Sequence, residues 1–309
     1  MNNNSNNKLI TYIMILLAII LIIVSILAIH KQNSTDVTEN TTVSNKKDVN
    51  KNTSNSKKDK KDKNEKSVEK KQDKVEENRF EGLTLSDNVK IPVLYYHSID
   101  PSEANEVILS PTKLKEQLQY IKDSGFTTIT ISELNDYLNN GKSLPEKSIM
   151  ITFDDGYMDN YTNAFPILKE LDMKATIFTI TKGLDQGYYL SSDQLKELSD
   201  YGIDIECHTV NHLHLNELSY EDQLKELTDS KQKLESITGK KVTAIAYPYG
   251  DYNQDTLNAT KAAGYTFGFT TNFNCVTKEN TQLELNRIYV SSDYDMETFK
   301  SRLEKALSN

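Results

Sequence analysis

Ile149-Met150-Ile151-Thr152-Phe153-Asp154-Asp155-Gly156-Tyr157 is an apolar run that passes without a spacer into two adjacent carboxylates and a glycine. Its first five residues predict a buried strand. Successive strand side chains point to opposite faces, so Asp154 and Asp155 share one site only where the strand breaks into a turn, and Gly156 supplies the break. Asp-Gly turns are common connections, and this one alone is as consistent with a plain turn as with a site. Its surroundings are more telling. Short β-branched or aromatic runs recur at 93–96, 175–180, 203–206, 242–247 and 265–269. Helical patterns separate them. Leu114, Leu118 and Ile121 follow the start signal Ser110-Pro111, and Ser192 opens a helix that ends at Tyr201-Gly202. Ser219 caps a stripe of Leu224, Leu227, Leu234 and Ile237, and 257–263 ends at Gly264. Alternating strands and helices predict a parallel sheet covered by helices. About 220 residues in six to eight such units suit a barrel better than an open sheet, with chemistry at the ends of the strands.

Outward from this core the chain changes character. Residues 9–29 are apolar apart from Thr11, Tyr12 and Ser25. At ~1.5 Å per residue they reach roughly 31 Å, enough to cross a bilayer core. The run is too long for a typical cleaved signal peptide, lacks a small-x-small cleavage site, and has no polar face for a buried core helix. It reads as an uncleaved anchor with residues 1–8 cytoplasmic. A long hydrophilic domain after an anchor translocates largely regardless of flanking charge, so the bulk of the chain is expected outside the cell on a single-pass membrane protein. Residues 30–88 are rich in Lys, Glu, Asp, Asn and Ser with almost no large apolar groups, which predicts a disordered, charged tether. The domain proper is then 89–309. Of the chain's 36 basic and 45 acidic residues, 15 and 12 lie in the first 88, leaving 21 and 33, a net charge of −12. So acidic a domain excludes nucleic acid as a natural partner and is compatible with a neutral glycan. Two cysteines, Cys207 and Cys275, exclude a disulfide scaffold and leave one bridge as an option.

Three further polar clusters also follow strands. His208-Thr209-Val210-Asn211-His212 holds histidines at i and i+4, which face one side of a helical turn at a spacing that lets both bind one ion. Two surface histidines on a loop would look the same, but His208, His212 and His214 are three of only five in the chain. His214 reads as a spectator or a supporting group. His97 ends Val93-Leu94-Tyr95-Tyr96-His97 and alone would carry little weight. Tyr247-Pro248-Tyr249-Gly250 offers aromatics for stacking on a sugar ring, or a turn into a helix capped by Asn253.

These motifs resemble the polysaccharide deacetylase family (the NodB-homology, or carbohydrate esterase family 4, domain). Thr152-Phe153-Asp154-Asp155-Gly156 matches the first family motif, His208-Thr209-x-x-His212 the second, and Tyr247-Pro248-Tyr249-Gly250 part of the third, the likeness running over about 91–289. Tyr95-Tyr96-His97-Ser98-Ile99 is similar to the branch containing the poly-N-acetylglucosamine deacetylases. The resemblance implies a distorted (β/α) barrel of about seven strands and a metal-dependent hydrolase that releases acetate from N-acetylglucosamine-containing glycans, exopolysaccharide or peptidoglycan. It implies Asp155, His208 and His212 as metal ligands, Asp154 as general base, the Tyr157 backbone N–H as oxyanion donor and His97 as general acid. Tyr247, Pro248 and Tyr249 would touch substrate. Zn²⁺ is the default for such ligands, with Co²⁺, Ni²⁺ or Fe²⁺ as options. A membrane-anchored monomer acting on acetylated polysaccharide is expected. Two departures stand out. Many relatives carry an arginine where this chain has Ala246, and Arg287 in Leu285-Asn286-Arg287-Ile288-Tyr289 is the candidate replacement for orienting Asp154. Glu206-Cys207 replaces a more usual small pair before His208, with Cys207 read as a packing residue over a stray thiolate ligand. The alternatives are an O-acetyl esterase of the same fold, acting on xylan or wall glycans, and an inactive wall-glycan-binding module.

Overall fold

The computed structural model describes residues 79–309. The anchor expected at 9–29 and the tether as far as 78 lie outside the described residues. Seven parallel strands close into a barrel in sequence order: β1 (Val93–Tyr96), β2 (Ser148–Phe153), β3 (Thr176–Thr179), β4 (Asp204–Cys207), β5 (Ala244–Ala246), β6 (Phe267–Phe273) and β7 (Leu285–Tyr289). Closure is made by β1, which pairs with β2 on one side (Tyr96 opposite Phe153) and with β7 on the other (Ile288 opposite Leu94). A short strand, Thr127–Thr128, adds to the start of β2. The six runs read from the sequence are six of these strands; β7 was not among them.

The connecting helices are α1 (Pro111–Asp123), α2 (Ile131–Asn139), α3 (Phe165–Leu171), α4 (Ser192–Tyr201), α5 (Tyr220–Thr238), α6 (Gln254–Ala262) and α7 (Met296–Ser308). Their ends follow local chemistry. Ser110, Ser219 and Asn253 accept from backbone N–H groups at the starts of α1, α5 and α6. The cap of α4 is Ser191, one residue earlier than expected, and reciprocates with Gln194 in a capping box. Gly202 and Gly239 end α4 and α5 in left-handed conformations that favour glycine.

Strand residues are buried on both faces, as a covered parallel sheet requires. Two apolar clusters separate by parity. Leu94, Tyr96, Ile149, Ile151, Phe153 and Ile177 pack under the helices. Val93, Met150, Phe178, Ala244, Ala246, Phe269 and Leu285 pack together inside the barrel. Counting on in steps of two, His97, Asp154, His208 and Arg287 share the parity of the interior set. Period-2 geometry thus aims four separated residues at one barrel mouth.

Residues 79–88, read from composition as the end of the tether, are ordered. Leu85–Ser86 pair antiparallel with Leu144–Pro145. The Arg79 guanidinium lies 3.0 Å from the nearly buried Glu133 carboxylate and also donates to Thr128 O. A few specific contacts, invisible to a composition window, fix this stretch.

Candidate active site

The Asp-Asp-Gly turn begins one residue earlier than the glycine suggests. Asp155 itself is left-handed at φ 72°, followed by Gly156 at 73°. This reversal brings Asp155 to the same side as Asp154. Gly156 packs so closely on β3 that a Cβ there would lie 3.0 Å from Thr179 Cγ2 and 3.3 Å from its Cα, so close approach and positive φ both require glycine.

The histidine pair converges differently from the sequence reading. Residues 208–214 form no helix; Thr209 (φ 65°) and His212 (φ 55°) are left-handed, and His212 N donates to Thr209 Oγ1 at 3.0 Å. The buried Glu226 on α5 holds this loop by accepting from Val210 N at 3.0 Å and Asn211 N at 2.8 Å. The i, i+4 pair meets through loop strain, not helical pitch.

Both imidazole Nε2 atoms lie 3.4 Å from Asp155 Oδ1. That oxygen is buried and without a hydrogen-bond partner among the described residues. Ligands at 2.0–2.1 Å around a tetrahedral ion are about 3.3 Å apart, so the spacing fits a divalent cation shared by the three groups, whose ligand atoms all fall within 4.8 Å of one another. His208 Nδ1 lies 2.7 Å from Ala246 O, which fixes the tautomer and turns the Nε2 lone pair toward Asp155. Ala246 therefore contributes to the site through its carbonyl.

Electrostatics agree with a cation site. Burial works against the charged form of Asp155, but the His208 and His212 imidazoles outweigh it and hold the carboxyl well below the usual range. Burial and neighbouring His208 lower His212 to about 4, so it is neutral at pH 7. At His208 burial is outweighed by Asp155 and Asp154, which raise its pKa: a proton there compensates the orphan carboxylate as a metal ion would.

Arg287, the expected neighbour of Asp154, reaches it across the barrel. It is 1% exposed inside the barrel, its Nη1 is 2.7 Å from Asp154 Oδ1, and its Nε donates to Thr270 O at 2.9 Å. The Tyr95 ring lies 4.2 Å beneath it. Burial pushes Asp154 up, but Arg287, helped by His208, holds it below its ordinary value. The signal in the sequence was an arginine flanked at alternating positions by Leu285 and Tyr289.

His97 faces the same cavity, which has a volume of about 400 Å³. Its Nδ1 is buried without a hydrogen-bond partner among the described residues, and burial lowers its pKa against the pull of Asp154 and Asp155. Tyr157 also lines the cavity; burial and the Asp155 carboxylate push its phenol up. Of the expected sugar wall, Tyr249 is 56% exposed on the cavity. Tyr247 borders the cavity but is fully buried, with its hydroxyl donated to Leu283 O, and Pro248 is also buried; of the three, Tyr249 alone presents an exposed face. His214, read as a spectator or support, stacks on Tyr249 with centroids 4.0 Å apart, while its Nδ1 lies 2.6 Å from Asp251 Oδ2. Cys207 points away from the cluster, within 3.3 Å of Ser230 Oγ, and both cysteines are free thiols.

A parallel (β/α) barrel with two imidazoles and a carboxylate at its mouth, and a second carboxylate pinned beside them, is an arrangement that could hold a cation next to a base. Comparison with known proteins narrows the class. Residues 141–268 match the family model described as polysaccharide deacetylase. The Bacillus subtilis protein YxkH is 38% identical over 215 residues, covering 70% of this chain and 76% of its own length. The poly-beta-1,6-N-acetyl-D-glucosamine N-deacetylase of Staphylococcus epidermidis is 32% identical over 206 residues, 62% of this chain and 71% of that one. Among solved structures, the Streptococcus pyogenes deacetylase PplD in complex with acetate superposes with a TM-score of 0.65 at 36% identity, covering 71% of this chain and 99% of that one. The chain belongs to the polysaccharide deacetylase family.

Proposed function

We propose that this protein is a membrane-anchored, extracellular, metal-dependent deacetylase that removes N-acetyl groups from N-acetylglucosamine-containing glycans, exopolysaccharide or peptidoglycan. The observation that carries the reading is the pairing of two unlike carboxylates: Asp154, pinned by Arg287 at 2.7 Å, and Asp155, unbonded and 3.4 Å from two imidazoles. Residues 9–29 would be the anchor, 1–8 the cytoplasmic end, and the charged stretch after them the tether of a monomeric catalytic domain. The acidity of that domain favours a neutral glycan partner over nucleic acid.

Asp155, His208 and His212 would hold the ion, with Zn²⁺ the default for two imidazoles and a carboxylate and Co²⁺, Ni²⁺ or Fe²⁺ as options. When bound, such an ion polarises an acyl oxygen and makes water more acidic. Asp154, kept ionised by Arg287, takes a proton from the water that attacks the acetyl carbon. The Tyr157 N–H, just past the left-handed turn, donates to the oxygen that gains charge. His97 gives a proton to the departing amine, a step an amide needs and an activated ester does not. Tyr249, braced by His214, presents its face to the sugar ring.

Acetate release measured over peptidoglycan, chitin oligomers and β-1,6-linked N-acetylglucosamine polymers, with Asp154→Asn as the blank, tests the proposal. Acetate from at least one of these amides is expected. Release only from O-acetylated glycans would replace the reading with an esterase, and none from any substrate would leave a binding module.

A further inference from the structure

The segment leaving the Asp-Asp-Gly turn does not begin as an α-helix. Asn160–Ala164 form one π-turn that runs into α3, a wider winding that is frequent at functional sites. Its side chains grip the backbone just after β1. Asp159 Oδ1 accepts from Ile99 N at 2.9 Å, and Oδ2 accepts from the Ser98 hydroxyl. Asn160 Nδ2 donates to His97 O at 2.8 Å and to Asp159 Oδ1 at 3.0 Å. Asn163 Nδ2 donates to Ile99 O at 2.7 Å. Three side chains thus hold three successive residues, 97 to 99. Asn160 is 1% exposed, so its amide direction is set by these bonds.

The His97 ring has no comparable hold of its own. Among the described residues Nδ1 is without a hydrogen-bond partner, and the ring's aromatic contacts are edge-on with Tyr95 and Tyr289, at 5.9 and 6.2 Å between centroids. Its aim therefore depends on where the backbone places Cα and Cβ. The same short segment that carries Asp154 and Asp155 supplies the grips.

We propose that Asp159, Asn160 and Asn163 are positioning residues that set the His97 imidazole in register with Asp154 across the reacting amide. The proposal rests on the assignment of His97 as the proton donor. A merely structural anchor would, when cut, damage every reaction of the site alike. A positioning clamp acts only on chemistry that needs the proton from His97. An amine leaves only when protonated, whereas p-nitrophenolate leaves without help.

The test compares kcat on an N-acetylglucosamine oligomer with kcat on p-nitrophenyl acetate, using the whole chain loaded with Zn²⁺. Asn160→Ala and Asn163→Ala are the variants and His97→Ala the reference. Misplacing a reacting group by about 1 Å costs up to about 100-fold, so Asn160→Ala should lower amide kcat about 10- to 100-fold. Its amide KM should stay within about twofold and its ester kcat within about threefold of wild type. Asn163→Ala, which removes one grip, should give a smaller split in the same direction. Retained ester turnover certifies the fold; if Asn160→Ala does not fold, Asn163→Ala decides by the same criterion. Parallel loss on both substrates, or unchanged amide turnover, overturns the proposal. If His97→Ala itself lowers both rates equally, the proton-donor assignment fails; a split in His97→Ala without one in the asparagine variants refutes the clamp alone.

Discussion

Replacing Arg287 by Met keeps most of its volume inside the barrel and removes only the charge and its donors. Asp154 is 3% exposed and its Oδ1 loses a partner at 2.7 Å. Removing one member of a buried ion pair costs about 3–5 kcal/mol. Two unit charges about 4 Å apart at an effective dielectric of about 20 attract by about 4 kcal/mol, which agrees. The lost bond to Thr270 O adds about 1 kcal/mol. In a domain of this size 1 kcal/mol moves Tm by about 2–4 °C, so a fall of about 10 °C or more is expected at neutral pH. The sign with pH follows from Asp154. In the wild type its carboxyl is held below the unfolded value of about 3.9. The pair's stabilisation is complete above about 3.9 and is lost as pH falls through the folded value. In Arg287→Met burial is no longer outweighed, the carboxyl rises, and the deficit against wild type shrinks on acidification. Asp154 then loses the group that orients it and favours its ionised form, so kcat/KM at neutral pH should fall about 10²- to 10⁴-fold, with its acid limb moved to higher pH. Calorimetry at pH 5 and pH 8 on Arg287→Met, Asp154→Asn and the double variant checks this. The double variant should regain part of the lost Tm, because no unpaired charge remains. A single variant that melts within 2 °C of wild type and keeps kcat/KM within threefold would refute the reasoning.

Glu206 offers a pH test on the inward-facing start of the barrel. Burial raises its carboxyl well above the ordinary range although Thr243 N and Ala244 N both donate to it at 2.8 Å. Its stabilising protonated form is present below about pH 4.3 and lost as pH rises through the folded value. Glu206→Gln keeps an oxygen for both donors, so it should melt higher than wild type at pH 8 and show little gain at pH 4; equal gaps at both would sink the linkage. Burial raises Cys207 and pushes Cys275 up to about 12. Native protein should therefore give no rapid thiol reaction with Ellman's reagent at pH 8, and two equivalents in denaturant; fast labelling of folded protein would contradict their placement. Chelation should lower Tm and abolish acetate release, both restored by Zn²⁺ and neither restored in Asp155→Asn. A chelated protein with unchanged Tm and activity would show that the Asp155, His208 and His212 cluster holds no cation.

The alternation of apolar strands and capped helices is legible in the sequence, because these patterns reflect local energies. The two-residue period buries Val93, Met150 and Phe178, and the caps at Ser110, Ser219 and Asn253 close helix ends within a few residues. Strand parity also carried His97, Asp154, His208 and Arg287 toward one mouth, so the polar clusters were legible as a set. Other features were decided only by tertiary structure. Strand β7 escaped notice because Asn286 and Arg287 break its apolar character and it pairs with β6 through an irregular register. Its partner β1 lies at the other end of the barrel sequence, and ring closure is a long-range event that no local window records. The Asp154–Arg287 pair spans 133 residues and exists only because that closure occurs. The cluster of Asp155, His208 and His212 depends on left-handed backbone at Asp155 and His212, held by Thr209 and by Glu226 from α5. Residue spacing grouped Asp155, His208 and His212, and the structure places them side by side, but the strain that joins them is supplied by packing around the loop.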